Sequence, residues 1–196
     1  ADAFLLTNVD GDSGKQTSIS FAVSKEHDFG FDWSLAYAWN KAEDVNPMTS
    51  SVAYSNYANF ATDNFNNPSA ATSNYEIPHR FTLRLTYQKE FFDGLNTTVS
   101  LFGSANKGRP YSYVFQNTPD QPAIQGLDIA DDRQLLYVPD GADDPNVVFT
   151  DNFDQQAFFA WLNDSGLGKY AGGSAERNAQ YSSWWHKLDL HVSQDL

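Results

Sequence analysis

The densest run of chemically capable side chains in this sequence is acidic. Asp120, Asp128, Asp131, Asp132, Asp140, Asp143, Asp144, Asp151, Asp154 and Asp164 fall in one stretch, with Arg133 nearly its only base. Carboxylates do general acid–base work as a positioned pair, and glycoside hydrolysis needs just two of them. A crowd of ten therefore singles out no pair. Such a run reads first as solvated surface; it would also suit a cationic ligand, or divalent ions near lipopolysaccharide. Upstream, Asp10-Gly-Asp12-Ser-Gly14 resembles the start of a calcium loop, yet Phe21 stands where the closing bidentate Glu belongs. The four histidines, His27, His79, His186 and His191, lack metal-ligand spacing, and His27 and His79 fall at strand ends, where an interfacial polar role is expected. The absence of cysteine excludes thiolate sites and disulfides. No nucleophile elbow, phosphate-binding loop or zincin motif occurs. The expectation is a non-enzyme without cofactor or bound metal.

These groups hang on segments with a period of two. In Phe31–Asn40, Phe31, Trp33, Leu35, Tyr37 and Trp39 alternate with Asp32, Ser34, Ala36, Ala38 and Asn40. Successive side chains of a strand point to opposite faces, so one face is large and apolar and the other small or polar. The pattern recurs four times. Thr17, Ile19, Phe21 and Val23 alternate with serines and an alanine, and His79, Phe81, Leu83, Leu85 and Tyr87 with Arg80, Thr82, Arg84, Thr86 and Gln88. Leu95, Thr97, Val99 and Leu101 alternate with Asn96, Thr98 and Ser100, until Phe102 breaks the polar row. Trp184, Leu188, Leu190 and Val192 alternate with Trp185, Lys187, Asp189, His191 and Ser193. Strands are expected near 15–27, 31–43, 77–90, 95–105 and 183–196.

A soluble β-sandwich would bury the large face. A transmembrane barrel would turn it to lipid, and the nine residues from Phe31 to Trp39 match the roughly 9–11 that a tilted strand needs to cross the hydrocarbon. In the barrel reading Ile19, Phe21, Val23, Trp33, Leu35, Tyr37, Phe81, Leu83, Leu85, Val99, Leu101, Leu188 and Leu190 face lipid. Phe31, Trp39, Tyr87 and Trp184 sit at headgroup level, and Ser34, Ala36, Arg84, Thr86, Ser100, Lys187, Asp189 and His191 face the lumen. Composition fits either and by itself favours the sandwich: mean hydropathy is −0.52, yet 15% of residues are aromatic. The net charge of −13 argues against nucleic acid as a partner. No apolar run approaches the ~20 residues of a membrane-spanning helix.

The connections favour the barrel. Short turns, His27–Gly30 and Glu90–Leu95, alternate with long segments near 1–14, 44–76 and 106–182. Outer-membrane barrels combine short periplasmic turns with long extracellular loops in this way, whereas long structureless loops are uncommon in compact soluble domains. Within the last segment, Asp151–Leu162 is expected to form a short helix capped by Asn152 and ended by Gly166, and Arg133–Pro139 an extended piece.

Four short words occur in order: Tyr75-Glu-Ile-Pro-His79-Arg80-Phe81, Lys107-Gly-Arg109-Pro-Tyr111-Ser-Tyr113, Arg133-Gln-Leu-Leu-Tyr137-Val-Pro139, and Arg177-Asn178 followed by Trp184 and Lys187-Leu-Asp189-Leu. Together they resemble the late barrel strands of TonB-dependent outer-membrane transporters, above all the Oar-like branch, over about Lys15 to Leu196. The resemblance implies an all-β antiparallel transmembrane segment, about five strands of a 22-stranded barrel. It also implies energised import of a scarce substrate through a plugged lumen. The implied partners are outer-membrane lipid and lipopolysaccharide, the rest of the barrel and its plug, and TonB through an N-terminal part. This sequence carries no plug and no TonB box, and five strands cannot close a barrel, so an internal fragment of a longer polypeptide is expected. The alternatives are a secreted glycan-binding β-sandwich and a small self-contained barrel with a structural or adhesive role.

Overall fold

The computed structural model describes residues 14–64, 67–115 and 133–196. The alternating segments are long strands: β1 (Lys15–His27), β2 (Phe31–Asp44), β3 (His79–Phe92), β4 (Leu95–Asn106) and β5 (Trp185–Gln194). They form one open sheet in chain order, with β1 and β5 at its edges. Two starts fall later than the alternation suggests. Pro78 has no N–H to give to a ladder, so β3 begins at His79, and β5 begins at Trp185.

The turns explain why neighbours in sequence are neighbours in the sheet. Gly30 N–H donates to the His27 carbonyl at 3.0 Å, and Gly30 adopts φ +85. This is the hairpin in which a residue in the left-handed region completes a three-residue loop. Glycine is required there twice over, because a Cβ would also lie 2.1 Å from the Gln88 carbonyl oxygen of β3. The β3–β4 turn is held differently: Gly94, at φ +72, donates its N–H to Glu90 Oε1 at 2.6 Å.

The chain divides into two compact units. The sheet unit comprises 16–42, 75–109 and 181–196; the loop unit comprises 1–15, 43–74 and 110–180. The loop unit is more structured than a pair of long connections need be. It holds helices α1 (Ala53–Ala58) and α2 (Gln155–Asp164), a 3-10 turn at Leu167–Tyr170, and a short pairing of Tyr137–Val138 with Gly173–Ser174. Val138, Leu162, Leu167 and Ala175 make its core, with Tyr113, Phe158 and Trp161 packed against them. The cap of α2 differs from expectation. Thr150 to Phe153 form a turn that takes up Asn152, so the helix starts at Gln155 and the Asp154 carboxylate accepts the Ala157 N–H at 2.9 Å. Gly166, at φ +73, follows the helix end.

Candidate functional site

The register sorts the sheet into two chemically distinct faces. Phe31, Trp33, Leu35, Tyr37 and Trp39 of β2 lie opposite Tyr87, Leu85, Leu83, Phe81 and His79 of β3. Leu85, Tyr87 and Leu83 lie opposite Leu101, Val99 and Gly103 of β4, and these opposite Leu190, Val192 and Leu188 of β5. Partners in an antiparallel pair share a face, so one apolar surface runs across four strands. By the same alternation β1 contributes Ile19, Phe21 and Val23. This surface is open: Phe21 is 68% exposed, Leu35 45% and Leu188 70%. Among the described residues, the buried aliphatic and aromatic side chains all belong to the loop unit; in the sheet unit the one buried apolar side chain is Pro78, just ahead of β3.

Rings gather at both ends of that face. Towards the turns, His27 lies 5.1 Å from Phe29 and stacks on Phe31 at 6.0 Å. At the other end Tyr37 stacks on His79, and its hydroxyl meets His79 Nδ1 at 2.9 Å; Trp184 packs on His79 and Phe81 at 6.1 and 6.0 Å. Both strand-end histidines thus serve as members of aromatic clusters.

The opposite face is read in rows. Asp32, Thr86, Ser100 and His191 form one, with the Thr86 and Ser100 hydroxyls 3.4 Å apart. Ser34, Arg84, Phe102 and Asp189 form the next, then Ala36, Thr82, Ser104 and Lys187. Lys187 and Asp189 pair at 2.7 Å, both exposed.

Two buried polar clusters were not foreseen from the sequence. In the sheet unit, Glu76 is buried; its Oε2 accepts the Ala42 N–H at 2.5 Å and its Oε1 accepts the Tyr181 hydroxyl. In the loop unit, Arg177 is 4% exposed and bonds Asp44 Oδ1 at 2.7 Å and the Asp44 carbonyl. Asn178 beside it adopts φ +59, a conformation Asn tolerates better than most residues. Its Nδ2 donates to the Thr72 carbonyl at 2.7 Å and to Asn74 Oδ1 at 2.6 Å, while its N–H donates to Ser112 Oγ at 2.8 Å. The dipeptide therefore ties three separate segments together. The only sequence-level signal was its presence in the last of the four ordered words.

The acidic run does not act as one group. Asp10, Asp12, Asp120, Asp128, Asp131 and Asp132 lie outside the described residues. Asp140, Asp143 and Asp144 line a shallow hollow of about 470 Å³ with Tyr137, Asn146 and Gly172, and Asp154 caps α2. Arg133 is buried, its guanidinium 4.6 Å from the Tyr57 ring centre, and burial lowers its pKa from the ordinary value. It is a packed side chain rather than a loose counter-ion. Among the described residues no group of three or more His, Asp or Glu is arranged to hold a metal.

Asp144 accepts the N–H groups of Asp140 and Asn146, each at 2.9 Å, and the Tyr137 hydroxyl at 3.0 Å. The two backbone donors, Asp140 first, hold its carboxyl below the ordinary value of 3.8. A depressed carboxylate contributes stability that is complete above the unfolded pKa and is lost as pH falls through the folded one. The 137–146 segment is thus expected to keep its amide protection down to about pH 4 and lose it below that. Hydrogen exchange at Asp140 and Asn146 measures this; an Asp144→Asn variant removes the pH step, and a step that survived in it would refute the assignment.

Comparison with family models, with curated proteins and with solved structures finds no match to this chain.

Proposed function

We propose that this chain supplies barrel wall and extracellular loops to a TonB-dependent outer-membrane receptor that imports a scarce substrate by energised transport. The observation that carries the reading is the pair of unlike faces: an exposed apolar surface continuous over four strands, backed by a polar one. Phe31 and Trp39 are eight residues apart on β2, about 26 Å at ~3.3 Å per residue. With strands tilted ~40° as in known barrels, that separation projects to roughly 20 Å, most of the ~25 Å apolar band that aromatic girdles flank. A β-sandwich would need a second sheet over Leu35 and Leu83, and Leu35 is exposed.

Charge supports the same division of labour. Segments 1–15, 43–74 and 110–180 hold seventeen acidic residues and four basic ones, whereas the sheet segments balance eight against eight. The sheet is neutral, as a wall in hydrocarbon should be, and the loops carry the whole net charge of −13. The open edges of β1 and β5 call for further strands from the rest of the same barrel, because unpaired backbone groups are not tolerated in lipid. The remaining partners in this reading are outer-membrane lipid and lipopolysaccharide, a plug, TonB, and a substrate.

The expected behaviour is a strict need for detergent. Removed from detergent, the 196-residue chain aggregates, since a broad aromatic face and two bare edges are both association sites. Light scattering reads the outcome, and a stable, monodisperse monomer in plain buffer would sink the proposal.

A further inference from the structure

The polar face of the sheet contains one patch that barrel wall alone does not account for. Three successive rows over β3, β4 and β5 read Arg84–Phe102–Asp189, Thr82–Ser104–Lys187 and Arg80–Asn106–Trp185. The patch measures roughly 13 Å along the strands and 10 Å across them, at ~3.3 Å per residue and ~4.8 Å between strands. Lys187 is matched by Asp189 at 2.7 Å. Arg80 and Arg84 are exposed, and among the described residues no carboxylate pairs with either. Two aromatics stand on this otherwise small and polar face, Phe102 at 41% exposure and Trp185 at 48%. Phe102 lies directly opposite Arg84, where it interrupts the polar alternation of β4.

We propose that this patch binds an anionic saccharide. Each guanidinium presents a planar fork that matches a carboxylate bidentately. Phe102 and Trp185 offer flat apolar surfaces to the C–H face of a sugar ring, and the Thr82 and Ser104 hydroxyls between the arginines exchange hydrogen bonds with ring hydroxyls. A bare inorganic anion would use the arginines and leave the rings idle; a neutral sugar would leave two cations unmatched. The inference rests on the wall reading only in that the polar face must meet water. Insertion is scored separately, by the need for detergent, so either idea can fail alone.

The test uses the full chain in detergent micelles, with a galacturonic acid oligomer, its methyl ester and inorganic phosphate titrated by calorimetry. The oligomer binds, and both the ester and inorganic phosphate bind at least about tenfold more weakly. R80Q and R84Q each weaken the oligomer about tenfold, a loss of roughly 1.4 kcal/mol, and R84K recovers only part because it restores charge without the fork. F102A weakens oligomer and ester alike. Circular dichroism confirms that each variant keeps its strands, and K89Q, at the turn end of β3, leaves binding unchanged. Failure of the wild-type chain to bind the oligomer, or equal binding by the R80Q/R84Q double variant, overturns the proposal. Phosphate bound as tightly as the oligomer overturns the saccharide assignment.

Discussion

A Leu35→Arg substitution is expected to cost about 2–4 kcal/mol of folding free energy in lipid vesicles, the usual penalty for a guanidinium at the mid-plane of a barrel's outer face. Leu35 is midway between Phe31 and Trp39, exposed, and flanked across the ladder by Leu83. Its neighbour Ala36 points the other way, opposite Thr82, so Ala36→Arg should fall within the ~0.5 kcal/mol typical of a surface change. Equilibrium folding into vesicles, followed by urea titration, measures both. Equal costs at the two positions would mean that lipid does not distinguish the faces, and the wall reading would have to be abandoned.

Arg177→Met should loosen the loop unit by about 3 kcal/mol, near the lower end of the range for breaking a buried ion pair. The lower end applies because Asp44, the partner left behind, keeps a fifth of its side chain in water. Methionine preserves most of the volume over the Phe60 ring, which lies 6.0 Å from the guanidinium carbon, so the loss reports charge and hydrogen bonds rather than a cavity. Removing both charges, in Arg177→Met with Asp44→Leu, should recover part of the stability. Hydrogen exchange separates local from global effects: amides of 45–64, 67–74, 110–115 and 133–180 should lose protection while those of the five strands keep theirs. Uniform loss across the strands, or no loss at all, would contradict the role given to Arg177.

What the sequence by itself determined is everything that depends on neighbours a few positions away. The period of two marked the strands and sorted Leu35 from Ser34 and Leu83 from Arg84, because the pleat sends alternate side chains to opposite faces whatever lies beyond the strand. Gly30 and Gly94 marked the turns, because only a residue free of Cβ strain adopts their positive φ cheaply. Near-sequence chemistry failed at element ends: β3 and β5 start two residues late, and Asp154 rather than Asn152 caps α2. Tertiary structure alone decided the rest. Arg177 meets Asp44 across 133 residues and Asn178 meets Thr72 across 106, and nothing local distinguishes that arginine from a solvated one. Nothing near Glu76 in sequence marks it as buried; the fold alone brings Ala42 and Tyr181 to its two oxygens. Arg84, Phe102 and Asp189 stand on three strands and become one row only through register. A single-residue slip would have sent one of them to the apolar face. Alternation is a property of each strand alone, whereas a site is a property of how strands align.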